Sequence, residues 1–400
     1  MRRYAKEGYQ RISYFLSKKP KVDYKAFVSS SIELKGEETF FGYYDKSPVN
    51  SSGTHILFHA STRATYKKPS TAVAVKVAVK ELHTDKEAEF ATSTAYNWQQ
   101  GCRAQWLNNE EFIFNNFDAE RGIYVSEIIN LRDRDLNRTL DFPVYDTAEK
   151  VGLSLNFNRL ALLRPDYGYR NLVEGGDYEL LEDARDGVFI CDLINNRVEL
   201  LISLEYLKKL SEVEKLESHK VNHLMINQDA SQFVFLYRYF NKGRKFDCLI
   251  CSDIGGKDVR VLSSNEIISH YCWISPREIV AYMRGPDQKE RYYCINTDSG
   301  QTKVYGEGII DQFGDGHPSY ANGLLIFDTY PDKSRHKKLL AFDPGSDSLW
   351  EMGRFFESFR YGGETRCDLH PRHLINTDFI SVDSVHQGKR QMYLIKLDKK

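Results

Sequence analysis

The sequence predicts an all-β chain: a seven-bladed β-propeller with one inserted helix and an N-terminal helical extension. Three observations carry this. Short β-rich runs recur seven times along the 400 residues, each is followed by a second β-like run, and no long helical pattern separates the pairs. The first runs are Ile56-Leu-Phe58, Glu111-Phe-Ile-Phe114, Leu160-Ala-Leu-Leu163, Phe233-Val-Phe-Leu-Tyr237, Ile279-Val-Ala-Tyr282, Leu324-Leu-Ile-Phe327 and Phe379-Ile-Ser-Val382. Their followers are Val73 to Leu82, Ile123 to Leu131, Val188 to Leu193, Cys248 to Ile254, Tyr292 to Thr297, Leu339 to Phe342 and Met392 to Leu397. Units of mostly 46 to 56 residues, each holding several short strands, suit propeller blades better than any α/β arrangement.

Residues 1–24 form a basic extension, and residues 25–400 a single propeller domain. In the extension, Tyr4, Ile12, Phe15 and Leu16 alternate with Arg2, Arg3, Lys6, Arg11, Lys18 and Lys19. This pattern suits either a basic amphipathic helix making weak peripheral contact with an anionic membrane, or a solvated terminus. Between the third and fourth units, Ser203 to Ser218 carries Leu204, Leu207, Leu210, Val213 and Leu216 at helical spacing behind a capping serine, which predicts an inserted helix. After Leu397 too little chain remains for an outer strand in the last blade. A ring must close to hide its edge, so a strand near Phe27 to Leu34 is expected to supply it.

Composition narrows the function. Lys plus Arg (55) balances Asp plus Glu (56), which removes the positive field of a general nucleic-acid binder. No run approaches the length of apolar chain needed to span a bilayer, and the N-terminus lacks the continuous apolar core of a secretory signal. The seven cysteines are scattered and odd in number, which fits reduced thiols in a cytoplasmic protein.

His223, His270, His317 and His370 fall at equivalent places in four successive units, with spacings of 47, 47 and 53 residues. Each stands near the start of its blade's innermost strand, so the four are expected to converge on one mouth of the central channel. There they could bind a metal or divide proton transfer between them; the alternative is that each merely hydrogen-bonds between blades. Asp368 lies two residues before His370 and should face the same side as that histidine. Units one and two carry Tyr43, Tyr44, Asp45, Gln100, Arg103 and Gln105 at the corresponding place, residue types that suit either sugar recognition or blade packing. Cys248 and Cys251 have the spacing of half a zinc site but lie in an expected strand, and His219 with His223 lacks a zinc protease's glutamate. No nucleophile elbow or Walker-type loop is present.

The segments Tyr43 to Phe58, Ser269-His-Tyr-Cys-Trp273, Gly316-His-Pro-Ser-Tyr320, Asp368-Leu-His-Pro-Arg372 and Asp383 to Gly388 resemble the oligogalacturonate lyase family and its TolB-like (WD40-like) propeller relatives. That resemblance implies a cytoplasmic carbohydrate-active propeller that cleaves uronate-containing oligo- or polysaccharides by metal-assisted β-elimination, a carbon-oxygen lyase. It implies a divalent metal, manganese or alternatively zinc or calcium, held by His317, Asp368 and His370. It makes His270 the base and places Arg244 near the catalytic arginine, with Tyr44, Asp45, Gln100, Arg103, His223 and Arg372 left to contact substrate. The family's paired histidines in the last blade appear here as Asp368 and His370, and its glutamine ligand has no counterpart. That departure keeps two other readings in play, a non-catalytic glycan-binding or polysaccharide-biosynthesis accessory propeller and a protein-interaction scaffold.

Overall fold

Seven four-stranded antiparallel sheets follow one another along the chain. The computed structural model describes residues 2–84, 86–174, 178–213 and 215–397, with side chains from residue 8 onward. The side chains of Arg2, Arg3, Tyr4 and Lys6, part of the expected amphipathic pattern, thus lie outside the described residues. The first strands of neighbouring blades touch one another, as strands around a central axis must; they include Asp146–Ala148, Ser218–Ile226, Ile268–Ser275, Ser319–Ala321 and Arg372–His373. Closure is as the sequence requires. Val28–Ile32 pairs antiparallel with Gln391–Lys396, Val28 opposite Ile395 and Ile32 opposite Met392, and completes the seventh sheet.

Six of the seven apolar first runs are the second strands of their blades and sit in the core between sheets. Phe58, Phe114, Phe235, Ala281, Phe327 and Val382 are all fully buried. Each large one contributes about 1.5–3 kcal/mol of burial. The exception is Leu160 to Leu163. Among the described residues there are three α-helices, α1 (Arg2–Leu16), α2 (Phe157–Leu163) and α3 (Leu204–Leu210). The expected strand at 160–163 is therefore helix α2, and the blade's second strand is Val151–Leu155. The reason is local: the Asn156 side chain accepts from the backbone N–H groups of Asn158 and Arg159, and Phe157, Leu160 and Ala161 bury one helical face. A four-residue apolar run fits either structure until its cap is considered. Helix α3 is capped by Ser203 as expected, but ends at Leu210 instead of continuing to Ser218. Ser218 already opens the long inner strand of the fourth blade.

Inner strands bulge at the channel, which would leave backbone N–H groups without partners. A carboxylate or amide reaching across each of several junctions accepts them. Asp383 takes the N–H groups of Phe41 and Gly42, Asn115 that of Val144, Asp146 that of Ile226, Asp247 that of Ile268, and Asp328 those of Leu369 and His370. The buried acids need counter-charges. Arg372 neutralises Asp383, Lys46 pairs with Asp146, and Arg238 pairs with Asp247. At Asp328 the partner is His317.

Candidate functional site

The four in-register histidines meet at one end of the channel. Successive ring centroids are 5.7 Å apart from His223 to His270, 4.1 Å from His270 to His317 and 4.3 Å from His317 to His370. Tyr43 closes the arc, stacked 5.3 Å from His223 and edge-on 5.0 Å from His370. All four imidazoles are buried. His223 and His370 adopt left-handed backbone conformations with φ of 56° and 46°, as does Arg103 at 55°. Such a conformation costs a non-glycine residue about 1–3 kcal/mol and aims its side chain out of the strand's regular alternation.

The hydrogen bonds orient each ring. His317 donates from Nδ1 to Asp328 at 2.9 Å, His370 from Nδ1 to the Gly42 carbonyl at 2.7 Å, and His270 from Nδ1 to Asp315 at 3.2 Å. In the neutral form of these three rings Nε2 is left as the acceptor. His223 is opposite: the Tyr43 hydroxyl, which burial keeps protonated, donates to its Nδ1 at 2.6 Å, so a neutral His223 carries its proton on Nε2. Most junction contacts between blades belong to the acids and the Asn115 amide described above, with His370 adding its Nδ1 bond to the Gly42 carbonyl. The imidazoles of His317 and His370 instead keep a buried Nε2 without any hydrogen-bond partner.

One ring nitrogen from each of His317 and His370 and a carboxylate oxygen of Asp368 lie within 4.8 Å of one another. Two imidazoles with their far nitrogens fixed by other groups, plus a carboxylate, match the donor set of a divalent transition metal. The residues therefore fit a cation. Burial would raise the Asp368 carboxyl, but Arg366 above all, with His317 and Lys337, holds it far below the ordinary carboxylate range. Burial opposes charge on His317 as well, yet Asp328 prevails and lifts it above the usual imidazole value. Burial lowers His270, with His317 adding to the effect against the pull of Asp315. His223 and His370 are driven well below, first by burial and then by neighbouring cationic groups.

A strap covers this end of the channel. It consists of α2 and the chain after it, and brings Tyr167 to 5.4 Å from His223. The strap is fastened to the seventh blade. Arg366 bonds Asp368 at 2.6 Å, the Tyr167 hydroxyl at 3.0 Å and Asp166, while Arg170 pairs with Glu364. From the sixth blade, Tyr330 reaches to 5.7 Å from His317. Arg164, Arg238 and Lys220 add positive charge nearby; burial and Arg238 push the Lys220 ammonium down to about 8.

Tyr44 joins the cluster, 5.5 Å from His317 and 5.8 Å from His270, and its hydroxyl is tied to the Tyr271 backbone. On its far side, Tyr44 and Asp45 border a 430 Å³ cavity at the opposite mouth, with Trp273 and Tyr320. Arg103 is held away from the histidines, bidentate to Asp45 and bonded to the Tyr145 carbonyl. Gln100 bonds Tyr145, and Gln105 accepts from Thr147. Arg372 is fully buried and spends its donors on Asp383, Ser381 and Gly42. Arg244 is exposed at a hairpin and paired with Glu266. Sequence reasoning did not single out Arg366, Arg164, Tyr167, Tyr330 or Asp328. Cys248 and Cys251 are core residues, and His219 is bonded to Asp183 and Tyr237.

No family model matches the chain, and no curated protein matches it in sequence. Solved structures do match. An oligogalacturonate lyase from Vibrio parahaemolyticus superposes over 92% of this chain and 93% of its own, with a TM-score of 0.59 at 12% identity. An oligogalacturonate lyase in complex with manganese superposes over 96% and 97%, with a TM-score of 0.60 at 12% identity. The chain has the fold of these propellers. A prolyl endopeptidase structure, matched over 90% of this chain and 50% of its own at a TM-score of 0.50 and 8% identity, shares the architecture more distantly.

Proposed function

We propose that this propeller acts on an acidic, uronate-containing oligo- or polysaccharide, most concretely by metal-assisted β-elimination. The observation that carries the reading is the pair of buried, unpartnered Nε2 atoms of His317 and His370 beside Asp368, with Arg366 bonded to Asp368 and Arg164 near enough to act on His223. A divalent cation held by those three residues would bind the sugar carboxylate and offset the charge that develops as the neighbouring proton leaves. Manganese is the first candidate, with zinc or calcium as alternatives. His270 is the proposed base: Asp315 fixes its Nδ1, its lowered pKa keeps it neutral, and its Nε2 takes the proton. The His223 Nε2–H is a donor for a sugar oxygen. Arg366 and Arg164, which lie beside the site, take the carboxylate-pairing role expected of Arg244. Tyr167 and Tyr330 exclude water and offer aromatic faces to a sugar ring.

A second reading, glycan binding or an accessory role in polysaccharide assembly without catalysis, is favoured by the bond between Arg366 and Asp368, which already engages one proposed ligand. Uronate oligosaccharides screened for unsaturated products, with wild type and His270→Ala in parallel, separate the two. Products from wild type and loss of about 10²-fold or more in the variant support catalysis. Binding without products supports the second reading.

A further inference from the structure

We infer that α1 is a membrane-surface anchor that docks this protein on an anionic lipid interface. One side of the helix is committed to the propeller. Tyr14 packs edge-on to Phe359 at 5.4 Å, Arg11 lies over the same ring at 5.1 Å, and Ser17 donates to the Lys333 carbonyl at 3.3 Å. The other side has nothing against it. Tyr9, Ile12, Phe15 and Leu16, spaced to share one helical face, are 64%, 62%, 77% and 83% exposed. Among the described residues, no other element leaves four large apolar side chains so bare in so short a span.

Charge selects the occupant. Residues 8–25 carry Arg11, Lys18, Lys19, Lys21 and Lys25 against a single acid, Asp23. No carboxylate pairs with any of these five cations among the described residues. An exposed apolar face flanked by an excess of cations is the pattern that inserts at the headgroup boundary of an anionic bilayer, the apolar residues entering and the lysines meeting lipid phosphates. No helix among the described residues is long and apolar enough to cross a membrane, so the contact is peripheral.

The anchor also orients the molecule. Its contacts are with Lys333, Phe356 and Phe359. These lie in or beside the connections that carry Tyr330 and Arg366 to the histidine mouth. An anchored propeller therefore presents that end toward the lipid surface.

The test is flotation of the full chain with vesicles of phosphatidylcholine alone or with 30% phosphatidylglycerol, at low and high salt, comparing wild type with Ile12→Glu/Phe15→Glu. The expected result is recovery with anionic vesicles only, loss on raising salt, and failure of the variant to float. Each lysine at the surface raises partition about five-fold, so Lys18→Gln/Lys19→Gln should cut binding by roughly twenty-fold or more. Both variants alter exposed side chains and should melt with wild type. Absence of vesicle binding by wild type overturns the inference, as does equal binding by Ile12→Glu/Phe15→Glu. A concentration-dependent oligomer that the same variant abolishes, with no vesicle binding, also overturns it and assigns the face to a second copy of this chain.

Discussion

Asp328 links ring assembly to the histidine site, and its removal gives a prediction with a calculable size. Its carboxylate accepts the backbone N–H of His317 at 2.7 Å and those of Leu369 and His370 at 3.1 Å each, besides the His317 ring. Asp328→Ala leaves three buried backbone donors without partners, besides the His317 ring. At about 1–3 kcal/mol per unsatisfied group, with some relief from entering water, the loss is about 3–6 kcal/mol. Unfolding entropy of about 2.1 cal/mol/K per residue makes about 0.8 kcal/mol/K for 400 residues, so the melting temperature should fall by about 4–7 °C. Asp328→Asn should also destabilise, because its amide nitrogen would face a donor. Differential scanning calorimetry on wild type and both variants measures this. A shift under about 1 °C for Asp328→Ala would refute the claim that this carboxylate fastens the sixth blade to the seventh.

Other consequences follow from the same structure. Purified protein should carry a near-stoichiometric divalent metal by mass spectrometry, lost in His317→Ala/His370→Ala; no metal in either, even after incubation with manganese, zinc or calcium, removes the cation from the mechanism. Glu364→Gln and Asp166→Asn loosen the strap and should speed proteolysis near α2 while leaving the melting temperature within a few degrees, as limited digestion would reveal. Burial holds His59 near 4, so protonation favours the unfolded chain: its contribution is intact above about 6.5 and declines as pH falls toward 4, at up to about 1.4 kcal/mol per unit. Urea titrations at pH 7 and pH 5 should show that decline, shallower in a folded His59→Gln variant. Deleting 28–32 removes the closing strand, and loss of a single cooperative transition is the expected calorimetric result.

The blades were legible because paired apolar runs recur seven times, six of the first runs being second strands, and the histidine cluster because equivalent positions on a ring converge whatever lies between them. Ring closure was legible from what was missing after Leu397. The strap was not. Leu160 to Leu163 is compatible with strand or helix by pattern, and the deciding Asn156 cap is a single residue. Missing α2 meant missing Arg164 and Tyr167, which it delivers to the mouth. Arg366 escaped notice because its role depends on partners 199 and 200 residues away, Tyr167 and Asp166. Arg372 and Arg103 show the converse: an arginine near a channel looks available until the acid that absorbs it is located.

Where other junctions balance their buried acid with arginine or lysine, the sixth uses His317, a proposed metal ligand. On the proposed reading, chemistry and architecture meet at one position. A descendant that abandons the metal cannot simply discard this histidine, because the carboxylate beneath it would be stranded. The permissive exchange is His317→Arg, which keeps the fastening while ending metal coordination. An arginine at this position in a related chain would therefore be a readable mark that the propeller had been kept and its chemistry given up.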